Sequence, residues 1–403
     1  MAFQKRRLSR VTTQSLESQS EIIYFDNSAT SFPKPNEVVE VISKSLREFS
    51  ANPGRAGHKL SMRAGSEIFK TRLNLASFFG VSNPMAVVFD LNATALLNLA
   101  IKGFAYKGLH VITTSLEHNS TIRPLMRLKN DGIINLSITS GDEDGIVGLK
   151  EIESLKNSNT KLLVINHTSN VTGSTQPIRE ICKWCRENGI VTIVDASQSA
   201  GFEKIDLKED FIDILCFTGH KGLYSPMGVG GMVLADEFDL TLLKPLKEGG
   251  TGSLSEEIVQ PDFLPDIFES GTPPLPMIAG LNEGLEFVKR NYESITKKKI
   301  ELESYFIKRA KKIEGVELFY GNVRNGVISF RVKGVSVSKI TEILSEDYGI
   351  MSRQGLHCAP LAHKKLGTFP EGLVRFSFGY SNEIWQIDKA IEAIEDIERI
   401  ESE

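Results

Sequence analysis

The chain has 403 residues, 41% of them apolar and 24% charged, a balance that suits a globular protein and argues against global disorder. Its 47 basic and 51 acidic side chains leave a formal charge of −4, which gives no footprint for nucleic acid or for a polybasic membrane surface. No apolar run approaches the ~20 residues that cross a bilayer, and 4 cysteines are too few for a disulfide scaffold, so a reduced, cytoplasmic setting is expected.

Residues 1–20 are basic and hydroxyl-rich and read as a polar extension rather than a transit peptide, with no apolar stretch of a secretory signal. From there the chain alternates short apolar runs with amphipathic ones. Ala86–Phe89, His110–Thr113, Leu162–Asn166, Ile190–Val194 and Ile212–Phe217 are β-rich and continuously apolar, as strands buried on both faces are. Helical stretches fall between them, such as Ser174–Asn188 with Gly189 as its stop. This alternation predicts an α/β domain with a mainly parallel sheet over residues 21–285, of which 21–35 pack with either unit.

The last third reads differently. A long charged helix is expected from Leu285 to about Lys311, interrupted near Asn291. Gly326–Val332 and Val374–Tyr380 alternate, which predicts half-exposed strands in a smaller α+β domain over 286–403. Isoleucines at 384, 387, 391, 394, 397 and 400 mark a final helix, capped at Ser381 or Asn382.

Ligands of open α/β sheets bind at the carboxyl ends of the strands. Each apolar run here is followed by polar residues: Thr94 after the first, His118 after the second, His167 and Asn170 after the third, Asp195 and Gln198 after the fourth, and Thr218, His220 and Lys221 after the fifth. Lys221, between a buried strand and a glycine, is placed to lose water and basicity, which makes its amine a nucleophile for an aldehyde. Asp195 needs a cationic or hydrogen-bonding partner at the end of its buried strand. An imine-forming lysine with an acidic partner is the arrangement that serves pyridoxal phosphate (PLP). Thr94 at a helix start offers a seat for the cofactor phosphate. No GxxxxGK[ST] run is present, and Gly228–Gly231 lacks dinucleotide spacing.

Asp195–Gln198, Thr218–Lys221 and the Gly271–Thr272 pair in ESGTP resemble the signatures of class V, fold-type-I PLP-dependent transferases. Arg353–Pro360 (RQGLHCAP) resembles the cysteine desulfurase and selenocysteine lyase branch, and the similarity runs from about Ile23 to Ile397. The resemblance implies a fold with a large, mainly parallel seven-stranded sheet domain. It implies that Lys221 holds PLP and, once freed by substrate, moves the α-proton, that Asp195 pairs with the ring nitrogen and Gln198 bonds the ring hydroxyl, and that His118 stacks on the ring and assists proton transfer. Thr94, Thr218 and His220 would bind the phosphate, with Thr272 reaching it from the second subunit of a homodimer. Asn170, also a cofactor-binding residue, and Arg375 would hold the substrate carboxylate, and Arg353 and Arg55 would line the pocket. Cys358 would take sulfur from L-cysteine as a persulfide and release alanine, then pass the sulfur to an acceptor protein. No metal is implied. The chain departs from close relatives at Ala93, Asn119, Gly222 and Leu356, which leaves open selenocysteine, a cysteine sulfinate, a cysteine conjugate or an aminotransfer substrate. The remaining cysteines read as packing residues: Cys216 buried in its strand, and of the Cys182/Cys185 pair one packed and one exposed.

Overall fold

A computed structural model describes residues 22–53 and 57–402. The extension expected over 1–20 and the pocket residue expected at Arg55 lie outside the described residues. The chain runs through β1 (Ile23–Tyr24), α1 (Asn36–Glu48), α2 (Lys59–Phe78), β2 (Val87–Asp90), α3 (Ala93–Phe104), β3 (Leu109–Thr114) and α4 (Asn119–Asn130). It continues with β4 (Ile134–Thr139), α5 (Leu149–Leu155), β5 (Thr160–Asn166), α6 (Ile178–Glu187), β6 (Val191–Asp195), β7 (Ile214–Thr218) and β8 (Gly230–Leu234). The last part holds α7 (Leu275–Ala310), β9 (Val316–Phe319), β10 (Val327–Val332), α8 (Val337–Glu346), β11 (Ile350–Met351), β12 (Arg353–Gly355), α9 (Pro360–Lys365), β13 (Leu373–Ser377) and α10 (Ile384–Ser402).

Seven strands form the large sheet in the order β2-β8-β7-β6-β5-β3-β4. Only β8 runs against its neighbours; every other pairing is parallel. Because side chains alternate along a strand, the continuous apolar runs feed two cores. Leu163, Ile165, Val194, Leu215 and Phe217 pack on one face with Leu75, Ile181, Ile278 and Leu281. Leu162, Val164, Ile193, Ile214 and Cys216 pack on the other with Leu96, Ala100 and Leu125. Cys182 and Cys185 are both buried in the first core, so neither is the exposed member that was expected. Residues three apart share a helix face. Burial raises both thiols, Cys185 to about 12, which keeps them protonated at neutral pH.

The second sheet is antiparallel, in the order β12-β13-β10-β9. Its helix-facing side chains, Ile328, Phe330, Val374 and Phe376, pack with Phe306, Ile391 and Ile394, and with Ile23 and Phe25 of the N-terminal strand region. The opposite face is not in water. Ser329, Arg375 and Ser377 are buried, and Ser329 Oγ donates to Val171 O at 2.6 Å. The half-exposed strands expected from alternation are therefore covered on both faces, one by helices and one by the large sheet's domain.

Helix α7 passes through Asn291 without a break; the Asn291 amide donates to Phe287 O at 2.9 Å along its own helix. The helix serves the cores of two sheets, with Leu275, Ile278, Leu281 and Leu285 in the first core of the large sheet and Leu302 and Phe306 in that of the small sheet. The expected cap of α10 is also displaced. Asn382 Oδ1 accepts from Gly379 N at 2.7 Å, and Gln386 Oε1 takes the Glu383 amide at 3.1 Å.

Candidate active site

The carboxyl ends of the large sheet meet the small domain in one cleft. Thr94 comes from the first turn of α3, and His118 from the residue before α4. Asn166, Thr168 and Asn170 come from the end of β5, Asp195, Ser197 and Gln198 from β6, and Thr218, His220 and Lys221 from β7. Arg353, His357 and Arg375 close it from the small domain, and Ser28 and Ala29 from the N-terminal arm. Ten of the positions expected from the sequence thus share this lining: Thr94, His118, Asn170, Asp195, Gln198, Thr218, His220, Lys221, Arg353 and Arg375.

Each residue is held by a local rule. His118 caps α4, its Nδ1 accepting the Ser120 amide at 3.1 Å. That bond leaves the ring's proton on Nε2. Burial and the nearby Lys221, Arg353 and Arg375 pull the imidazole down to about 4 against the pull of Asp195, so it is neutral at physiological pH. Asp195 Oδ1 takes both the amide and the hydroxyl of Ser197. Lys221 sits on the turn after β7, and burial lowers its ammonium to about 8 against the stabilising charge of Asp195. Gly222 is there for space: a Cβ at that position would lie 2.3 Å from Ala200 O.

Arg375 is buried, with Nη1 donating to Asn170 O at 2.9 Å and Nη2 to Asp26 Oδ1 at 2.8 Å. Among the described residues its Nε has no partner. Thr218 Oγ1, His220 Nδ1 and His357 Nδ1 are likewise buried and unpaired. A buried polar atom without a partner costs about 1–3 kcal/mol, so their concentration around one cleft marks a place built for a polar ligand. PLP fits that set. An unpaired hydroxyl and imidazole beside a helix start suit its phosphate, a carboxylate suits its ring nitrogen, and an amine of lowered basicity suits its aldehyde.

Two expected residues stand outside the lining. Thr272 is exposed. Cys358 is exposed on the loop after β12, and Gly355, His357 and Cys358 adopt φ of 95°, 48° and 57°. Non-glycine residues in this region cost roughly 1–2 kcal/mol each, and the loop is tied down accordingly. The amide of Asn119 donates to Cys358 O at 2.7 Å, and Asn170 Nδ2 to His357 O at 2.7 Å. Arg353 Nη2 lies 4.0 Å from Cys358 Sγ.

Sequence reasoning missed Ser28, Ala29, Asn92, Ser120, Asn166, Thr168, Ser197 and His357 among the lining residues. Most lie inside the strand-end segments already singled out. Ser28 and Ala29 had no such signal.

The class-V aminotransferase profile matches residues 23–390. This chain belongs to the class-V aminotransferase family. Its seven-stranded, mainly parallel sheet is the large domain of the fold-type-I architecture. Among curated members of similar sequence, a probable cysteine desulfurase of Methanothermobacter thermautotrophicus is 30% identical over 381 residues, 93% of this chain and 94% of that protein. A probable cysteine desulfurase of Pyrococcus abyssi is 32% identical over 94% of each chain. Among solved structures, the apo cysteine desulfurase of Thermococcus onnurineus NA1 superposes with a TM-score of 0.86 at 31% identity, covering 94% of this chain and 95% of the other. Among the described residues, no helix is long and apolar enough to cross a membrane.

Proposed function

We propose that this chain is a PLP-dependent cysteine desulfurase that moves sulfur from L-cysteine onto a Cys358 persulfide and releases L-alanine. The observation that carries the reading is Lys221. It is an amine of lowered basicity sharing one cleft with Asp195 and Arg375, beside a pinned loop that displays a cysteine. Lys221 would hold the cofactor's aldehyde carbon, Asp195 its ring nitrogen, Gln198 its ring hydroxyl and His118 the face of its ring. Thr94, Thr218 and His220 would hold the phosphate, and Thr272 would reach that of a second copy in a homodimer.

When bound, PLP supplies an electron sink that lets an amino acid's α-carbon lose its proton. Lys221 is the base for that proton, and an amine titrating near 8 exchanges protons readily at neutral pH. His118, neutral and bonded through Nδ1, has one proton to give, on Nε2. Asn170 and Arg375 hold the substrate carboxylate, with the unpaired Nε of Arg375 as a donor kept for it. Arg353, and Arg55 outside the described residues, complete the pocket. Cys358 Sγ attacks the substrate sulfur: the S–S bond forms as the substrate's Cβ–S bond breaks, the carbon keeps the electron pair and takes up a proton on the way to alanine, and Arg353 puts a positive charge beside the attacking thiol. The exposed persulfide then meets an acceptor protein in the cytoplasm.

An amino-acid panel on the PLP-loaded protein tests this, scored for alanine, sulfide and keto acid with and without a thiol reductant. Alanine and sulfide from L-cysteine are expected. Alanine from selenocysteine or cysteine sulfinate alone, or keto acid as the product, would replace the reading with another reaction of the family.

A further inference from the structure

The segment 26–34 has no periodic pattern, yet it touches several sides of the cleft. Asp26 takes the guanidinium of Arg375, and Ser28 O accepts from Gln198 Nε2 at 3.1 Å. Its densest contact is with the turn after β7. The carbonyl oxygen of His220 accepts from the Ser31 amide and the Lys34 ammonium, each at 2.9 Å, and from the hydroxyls of Thr30 and Ser31, each at 3.1 Å. That oxygen belongs to the peptide whose nitrogen is that of Lys221.

A carbonyl has two lone pairs, so four donors on one oxygen compete, and the charged donor holds most strongly. Lys34 is half-buried, and burial draws its ammonium down to about 8. Among the described residues its partners are that carbonyl and Ser31 Oγ, at 2.7 Å. A partly desolvated cation with no carboxylate partner is a costly way to brace a turn. The turn it braces is the one that carries the reactive amine.

We propose that Lys34 is a positioning residue for Lys221: its ammonium grips the His220 carbonyl and fixes the peptide plane from which the Lys221 side chain leaves. The proposal rests on the reading of Lys221 as the PLP anchor. A reacting group displaced by about an ångström loses on the order of a hundredfold in rate, so a clamp on that plane controls how fast the amine meets an aldehyde.

The test begins without turnover. Apo protein is mixed with PLP, the product is trapped with borohydride, and the modified residue is located by mass spectrometry. In the parent, attachment is at Lys221. Lys34→Met, which keeps the stem and removes the charge, slows attachment by about tenfold or more, whereas Lys34→Arg stays within about threefold of the parent. The kcat for alanine release from L-cysteine falls in Lys34→Met by a similar factor, with KM changed less than about threefold. Ser31→Ala, which removes one of the two oxygens that hold the ammonium, slows attachment less and in the same direction. Attachment at the parent rate in Lys34→Met overturns the proposal, as does a Lys34→Arg variant as slow as Lys34→Met, or loss of the cooperative melt in Lys34→Met, which would make Lys34 a fold residue. A parent protein that traps no PLP at Lys221 defeats instead the proposed function.

Discussion

The side-chain amide of Asn170 donates to the carbonyl oxygen of His357 over 2.7 Å. The main-chain oxygen of the same residue accepts from Arg375. One asparagine on the loop after β5 thereby joins the cysteine loop to the arginine expected to hold the substrate. Asn170→Ala leaves the His357 carbonyl without this donor, at a cost of about 1–3 kcal/mol. We expect PLP loading to survive and the rate of Cys358 persulfide formation to fall by about tenfold or more in rapid-mixing experiments. An unchanged rate would remove Asn170 from the loop's support.

Glu117 is fully buried between β3 and α4, and its Oε1 takes the Asn166 amide at 2.9 Å and the Thr114 hydroxyl at 2.8 Å. The Thr121 hydroxyl is a further hydrogen-bonding neighbour of the same carboxyl. Burial lifts the carboxyl from 4.5 to about 8, so it folds as a neutral acid. Folded-state stability from this proton is full below pH 4.5 and is lost as pH rises through about 8. Glu117→Gln should flatten the dependence of melting temperature on pH across that window. Glu117→Ala should lower stability at every pH by about 2–4 kcal/mol. A Glu117→Gln variant with the parent's slope would refute the neutral acid.

The Lys221 ammonium, lowered from 10.5 to about 8, sets a second pH dependence. The free amine increases as pH rises through 8, so attachment of PLP to the apo protein should accelerate from pH 6 and level off above about 9. Between 8 and 10.5 the unfolded chain binds the proton that the folded one releases, so this group adds stability as pH rises. Trapping rates across a pH series check the first statement. A midpoint near 10.5 would mean that the amine is not desolvated.

Cys358 is exposed and lies outside the cleft lining. Cys358→Ala should therefore leave PLP absorbance and melting temperature unchanged while abolishing sulfide release from L-cysteine. Sulfide release at the parent rate would show that another group takes the sulfur.

Much of the cleft is legible because a strand buried on both faces is a continuous apolar run, and polar residues resume where it ends. Val194 is followed by Asp195, and Phe217 by Thr218 through Lys221. What pattern misses is what distant segments cover. Ser329 and Arg375 alternate with apolar neighbours as if they faced water, but the partners of their face are Val171 and Asp26, far away in the chain. The arm residues Thr30 and Lys34 meet His220 from 190 and 186 positions away, with no periodicity to announce it. Asn291 looked like a break because asparagine competes with the backbone, but its amide is satisfied within the helix.

The central claim is that sulfur passes from L-cysteine to one named thiol. Mass spectrometry of the PLP-loaded protein after L-cysteine, without reductant, tests it most directly. The account predicts that the peptide carrying Cys358 gains the mass of one sulfur atom, with one alanine released per modified chain, and that Lys221→Ala gains none. Alanine released while Cys358 stays unmodified, or the added sulfur found on another residue, would contradict it.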